Sequence, residues 1–262
     1  GDVDGDGDLD IYVANYGETS VLRSGGSVSV RTINGKQVVT GRYANRIRIM
    51  GGDMVEVGEP DFLYLNDGSG NFTNIDWTDG NWLDENGQPI RKAFWDLGLS
   101  VMIRDVNQDG RPDIYVCNDF QTPDRFWINQ GDGKFQLINE LALRHRSYFA
   151  MAVDFADINR DGHDDFFVAD MMSPTHLLEM TQVMITNPFA KPIDEFIDRP
   201  IIHRNTLLVN RGDNSYMDTA NFSGVAATEW TWGATFLDVD LDGLEDLLIA
   251  NGHAFDTQNL DA

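Results

Sequence analysis

One nine-residue phrase, Asp-x-Asp/Asn-x-Asp-Gly-x-x-Asp, occurs four times in this chain, each time followed by a short apolar run. The copies are Asp2/Asp4/Asp6/Asp10, Asp105/Asn107/Asp109/Asp113, Asp157/Asn159/Asp161/Asp165 and Asp238/Asp240/Asp242/Asp246. Short oxygen-bearing side chains at alternate positions converge on one point when the chain between them curls tightly. The glycine sixth in each phrase (Gly7, Gly110, Gly162, Gly243) supplies the positive-φ freedom for that curl. A hard cation of variable coordination suits such an oxygen cage, and calcium suits it better than magnesium, which demands stricter geometry. The reading is about four Ca2+ sites, with side-chain oxygen from the first, third, fifth and ninth residues. The seventh residue (Asp8, Arg111, His163, Leu244) would give its backbone carbonyl, which leaves its side chain free to vary.

The phrase is shared in part with the EF-hand, which needs a bidentate Glu at the twelfth position. Here that position holds Val13, Val116, Val168 and Ile249, inside the apolar runs, so the EF-hand is excluded four times. Loops two and three carry Asn in third place and are expected to bind more weakly than loops one and four.

The runs Ile11–Ala14, Ile114–Cys117, Phe166–Ala169 and Leu247–Ala250 read as short strands buried on both faces. Candidate strands precede three of the loops, at 99–103, 149–155 and 233–237. A hairpin phrase follows: Phe62–Phe72 with Asn66 and Gly68, Phe126–Phe135 with Asn129 and Gly131, and a looser Leu207–Tyr216 with Asn210 and Gly212. Strand, loop, strand, hairpin, strand makes a four-stranded antiparallel unit, and its repetition predicts an all-β fold, a β-propeller. The blades are expected at about 1–80 with an insertion at 17–60, about 97–140, about 147–222 with an insertion at 171–203, and in part at about 230–262. The whole is expected to be about half of a seven-bladed ring. Asn34-Gly35 within the first insertion signals a hairpin. Ser173-Pro174 in the second opens an expected helix over 174–184.

These residues resemble the FG-GAP/VCBS repeat family, the calcium-bearing blades of integrin-α-type propellers. The resemblance rests on the four loops, on the Asn-x-Gly-Asp-Gly-x-Phe hairpin and on Gly233-Ala-Thr-Phe236 before loop four. Cys117-Asn-Asp119-Phe-Gln-Thr-Pro123-Asp-Arg125 and Ala250-Asn-Gly-His253 are most similar to bacterial secreted proteins resembling cartilage acidic protein. The resemblance implies about seven blades and an exported location. It implies no catalytic activity, since fold alone does not fix function.

Charge narrows the partners. The chain has 43 acidic and 19 basic residues, a formal charge of -24. That balance argues against nucleic acid, whose binding needs basic surface, and against an anionic membrane face. No apolar stretch approaches the ~20 residues of a membrane span. The chain opens inside a loop motif, so its N-terminus is read as cut away. The single cysteine, Cys117, excludes an intrachain disulfide and reads as a buried thiol. Cytosolic calcium is too low to fill such loops, so an extracellular, cell-surface or periplasmic location is expected.

No Ser-His-Asp elbow, phosphate loop or paired-histidine zinc pattern appears. Arg211-Gly212-Asp213 occupies the hairpin-turn position and reads as a turn. Asn71 and Asn221 head glycan-acceptor sequons. The expected function is a calcium-stiffened scaffold for protein–protein or cell-surface binding and adhesion, with Trp77, Trp82, Trp95, Trp230 and Trp232 as candidate contacts, several of them expected in the core. The alternatives are a subunit of a larger exported enzyme complex and a glycan-binding, lectin-like propeller.

Overall fold

A computed structural model describes residues 1–17, 21, 28–50, 53–120, 122–178 and 199–252. Among the described residues, four β-sheets of three or more strands follow one another along the chain. The first holds Ile11–Val13, Phe62–Asn66 and Phe72–Asn74. The second is built on Gly98–Arg104, Asp113–Asn118, Arg125–Gly131 and Lys134–Leu137, antiparallel neighbours in that order. The third repeats this with Ala152–Ala156, Asp165–Ala169, Thr206–Asn210 and Tyr216–Asp218. The fourth pairs Glu229–Leu237 with Asp246–Asn251, and Met171–Met172 pairs with the other edge of Glu229–Leu237.

The strand after each of the second and third loops explains how the sheets stack. In a strand, alternate side chains point to opposite faces. Ile114 and Val116 enter a core with Tyr12, Leu63, Trp127 and Phe135, between the first and second sheets. Tyr115 and Cys117 point the other way, into a core with Phe126, Val153, Phe155, Phe166 and Val168, between the second and third. Phe167 and Ala169 then face Leu207, Ala234, Phe236 and Ile249, between the third and fourth. These two runs are therefore apolar at every position because each of their faces belongs to a different core; the first and fourth runs are not buried on both faces, with Ile11 45% and Leu248 54% exposed. Cys117 is fully buried, as expected, and burial raises its thiol pKa far above the ordinary value.

Antiparallel connection sorts the loops into two ends. The metal-loop motifs and the hairpin turns lie at one end of their sheets. The connections 14–61, 119–124 and 170–205 leave from the other.

Several expectations change. A short strand, Trp82–Leu83, pairs parallel to Lys134–Leu137 and makes the second sheet five-stranded. Trp82 is 1% exposed and Trp77 8%; the two rings stack at 4.4 Å, so both are core and neither is a partner contact. Trp232, at 53% exposed, remains on the surface. Of the expected 174–184 helix, 176–178 are helical, 174 and 175 are bends, and 179–184 lies outside the described residues, as does His253. In the first insertion, Ser29–Ile33 and Lys36–Thr40 form the expected hairpin. Asn34 (φ 51°) and Gly35 (φ 76°) both have the positive φ that a type I′ turn requires. No helix among the described residues is long and apolar enough to cross a membrane.

Candidate metal centres and the carboxylate rows

The four loops share one hydrogen-bond scheme. In loops two, three and four, the first residue accepts the N–H of the fifth on Oδ1 and that of the sixth, glycine, on Oδ2. The third residue accepts from the fifth, and the fifth from the seventh. Loop one differs by one place: Asp2 accepts from Gly5 and Gly7. These bonds curl the chain and leave oxygens gathered inside.

The curl needs two left-handed residues, not one. Besides the sixth-position glycines, the fourth position also has positive φ: Gly5 at 80°, Gln108 at 61°, Arg160 at 60° and Leu241 at 62°. Three unrelated side chains adopt a conformation that disfavours them all, which is why residue types did not reveal it.

The ninth residue ties the loop to the sheet. Asp113 Oδ2 accepts the N–H of Val106 at 3.1 Å, and Oδ1 that of Asn129 at 2.7 Å. Asp10 does the same with Val3 and Asn66, and Asp165 with Ile158 and Asn210. Asp246 accepts from Val239. Asp113 and Asp165 are buried, and burial pushes them up to about 7 and about 6; the other loop carboxylates add to the rise. A cation beside them would favour the charged form again.

The hairpin asparagines are hubs as well as turn residues. Asn129 donates from Nδ2 to Val3 O (2.7 Å) and Pro112 O (3.0 Å), and its Oδ1 accepts the Gly131 N–H. It thus joins loop one, loop two and its own hairpin. Asn210 and Asn66 make the corresponding local bonds to Asp164 O and Leu9 O, and to Gly212 and Gly68. The recurrence of Asn-x-Gly was the available signal. Arg211-Gly212-Asp213 sits in this turn, with Gly212 at φ 73°.

The donor chemistry separates the loops. In loop one Asp2, Asp4 and Asp10, and in loop four Asp238, Asp240 and Asp242, bring carboxylate oxygens within 4.8 Å of one another. The set is oxygen only and anionic, which fits a hard divalent cation. In loop two, Arg111 forms an ion pair with Asp109 Oδ2 at 2.5 Å. In loop three, Asn159 Nδ2 donates to Asp161 Oδ2 at 2.9 Å. Asp6 and Asp242 have no such donor among the described residues. Asp8 and His163, at seventh positions, abut the hairpin glycines Gly68 and Gly212.

A second row lies at the opposite end. Asp61 accepts the N–H of Asn15 and the hydroxyl of Tyr12; Asp124 accepts those of Asn118 and Tyr115. Burial pushes each of these carboxyls up to about 7, against the lowering hydrogen bonds. In the third repeat the pair is exchanged. Asn205 accepts the Asp170 N–H, and Asp170 Oδ2 takes the Ser147 hydroxyl and the Tyr148 and Phe149 N–H groups. Its Oδ1 faces His203 Nε2 at 3.4 Å. The repeated Tyr-x-x-Asn and Pro-Asp pairs are the sequence signal of this row.

Residues 105–168 match the family described as FG-GAP-like repeat. That span begins at the first aspartate of loop two and ends in the strand after loop three. No curated protein matches the chain. Among solved structures, one similar chain is described as "Structural basis of specific recognition of non-reducing terminal N-acetylglucosamine by an Agrocybe aegerita lection". It is 16% identical with a TM-score of 0.35, over 76% of this chain and 43% of that one. The chain therefore spans less than half the length of that structure.

Proposed function

We propose that this chain is a calcium-stiffened binding scaffold, its sheets the blades of a partial β-propeller, working outside the cytosol. The observation that carries the reading is the ninth-position aspartate. One carboxylate holds the loop's curl and the neighbouring hairpin together, so an ion in the loop would rigidify the whole sheet. Side-chain oxygens of Asp2, Asp4, Asp6 and Asp10 would hold calcium in loop one, and Asp238, Asp240, Asp242 and Asp246 in loop four. Loops two and three offer Asp105, Asn107, Asp109 and Asp113, and Asp157, Asn159, Asp161 and Asp165. The role is structural, since these carboxylates are engaged by backbone N–H groups of their own sheets.

The partner surface is assigned to the end remote from the loops, where the connections leave the sheets. Trp232 is exposed there and Trp230 and Tyr148 are half-buried, amphipathic rings suited to a protein or glycan partner. The test is thermal unfolding with calcium, with magnesium and with excess chelator, followed by glycan-array and protein capture in calcium. A melting temperature unmoved by chelator defeats the calcium reading. Capture that survives Trp232→Ala unchanged defeats the surface assignment.

A further inference from the structure

Basic groups are scarce in this chain, yet several converge on the flank of the third sheet. The segment joining the second and third sheets brings Arg144 and His145 against Arg204 and Asp218. Arg211 comes in from the hairpin turn. Together they line a cavity of about 490 Å³. The single carboxylate there is already neutralised. Asp218 Oδ2 accepts from Arg204 at 2.5 Å and faces His145 Nε2 at 2.8 Å, while Oδ1 accepts the Ala220 N–H at 2.9 Å. Burial would raise its pKa, but these hydrogen bonds hold the carboxyl far below the usual range.

Two cations are left over. Arg144 is exposed and has no hydrogen bond or ion pair among the described residues. Arg211 is also exposed; it acts on Asp213 across the turn, but its guanidinium donates no hydrogen bond to a described residue. Apart from Ser215 and the buried Tyr216, the rest of the wall is apolar. Leu208 is buried beneath it, and Leu141 and Met217 stand 69% and 54% exposed at its edges. The volume is that of a small-molecule pocket. A guanidinium recognises a planar carboxylate bidentately, and the apolar walls take a hydrocarbon body.

We infer that this cavity binds a small organic carboxylate, its head on Arg144 and Arg211 and its apolar body against Leu141 and Met217. The inference does not depend on calcium in the loops or on the partner surface proposed above.

Calorimetric titration of the calcium-loaded chain with hexanoate tests it, with hexanamide and sulfate as comparison probes. Saturable one-site binding of hexanoate is expected, with hexanamide and sulfate each weaker by about tenfold or more. The double variant Arg144→Glu, Arg211→Glu should lose hexanoate binding by about the same factor or more, while its melting temperature stays that of the parent. Leu141→Ser should weaken hexanoate and leave sulfate unchanged. Absence of saturable binding, hexanoate affinity unaltered in the double variant, or sulfate equal to hexanoate would each overturn the assignment.

Discussion

The backbone N–H of Asn129 lies 2.7 Å from Oδ1 of Asp113, and the same carboxylate closes loop two through Val106. Asn129 itself is 1% exposed, and its side-chain amide reaches Val3 O in loop one. One asparagine therefore couples two loops and two sheets. Replacing it by alanine leaves the buried carbonyls of Val3 and Pro112 short of donors. Each costs roughly 1–3 kcal/mol, so Asn129→Ala should destabilise by about 2–6 kcal/mol in urea unfolding. Asn66→Ala, at a half-buried position, should cost less.

Calcium removal should lower stability. With Kd of ~0.1–1 mM for an extracellular module, ~1 mM calcium contributes roughly 0.4–1.4 kcal/mol per site, about 2–6 for four. Scanning calorimetry with and without chelator measures this directly.

The loops should fill unequally. Loop two holds one fewer carboxylate than loops one and four, and Arg111 competes for Asp109. Arg111→Ala should therefore raise the affinity of loop two by several-fold, since a close opposite charge is removed from a ligand. Calorimetric titration should show the weaker phase moving toward the stronger. A phase that stays in place would show that the arginine does not compete.

How much of this was legible can be argued from particular residues. The loops and the strands after them were, because four copies align and Val116 or Val168 at the twelfth position places each loop beside a strand. That Ile114 and Tyr115 serve different cores follows from the same all-apolar run. The role of Asn129 was not legible, because its bond to Val3 spans 126 residues of sequence. Trp82–Leu83 escaped because two residues carry no period. The exchange of Asp and Asn between 170 and 205 escaped because it appears only when Asp124 and Asn118 are seen paired in space.

Backbone strain in the loops is open to test at Leu241, which has φ 62° and is 85% exposed, so its side chain buries little. A left-handed non-glycine residue costs roughly 1–2 kcal/mol, and the greater unfolded-state freedom of glycine gives back about 0.4–1 kcal/mol. Leu241→Gly should raise stability by up to about 1.6 kcal/mol in chemical denaturation with calcium saturating. Gly5 already occupies the equivalent place in loop one. A loss of stability would mean that the leucine makes contacts that outweigh the strain.

The buried row predicts the pH response. Asp124 is fully buried and its carboxyl is pushed up from 3.8 to about 7. A carboxyl whose folded pKa is raised binds its proton more tightly in the folded state. Its contribution is therefore fully present below about pH 4 and is lost as pH rises toward about 7, by up to ~1.4 kcal/mol per pH unit. Asn205 holds the equivalent position in the third repeat, where its Oδ1 accepts the Asp170 N–H. Asp124→Asn can therefore keep the bond from Asn118 while removing the charge. The stability of the variant minus that of the parent should rise from about pH 4 to about pH 7 and level off above it. Measured by urea unfolding in saturating calcium, a difference that stays flat across that window would show that Arg146 and the Tyr115 hydroxyl already hold Asp124 ionised.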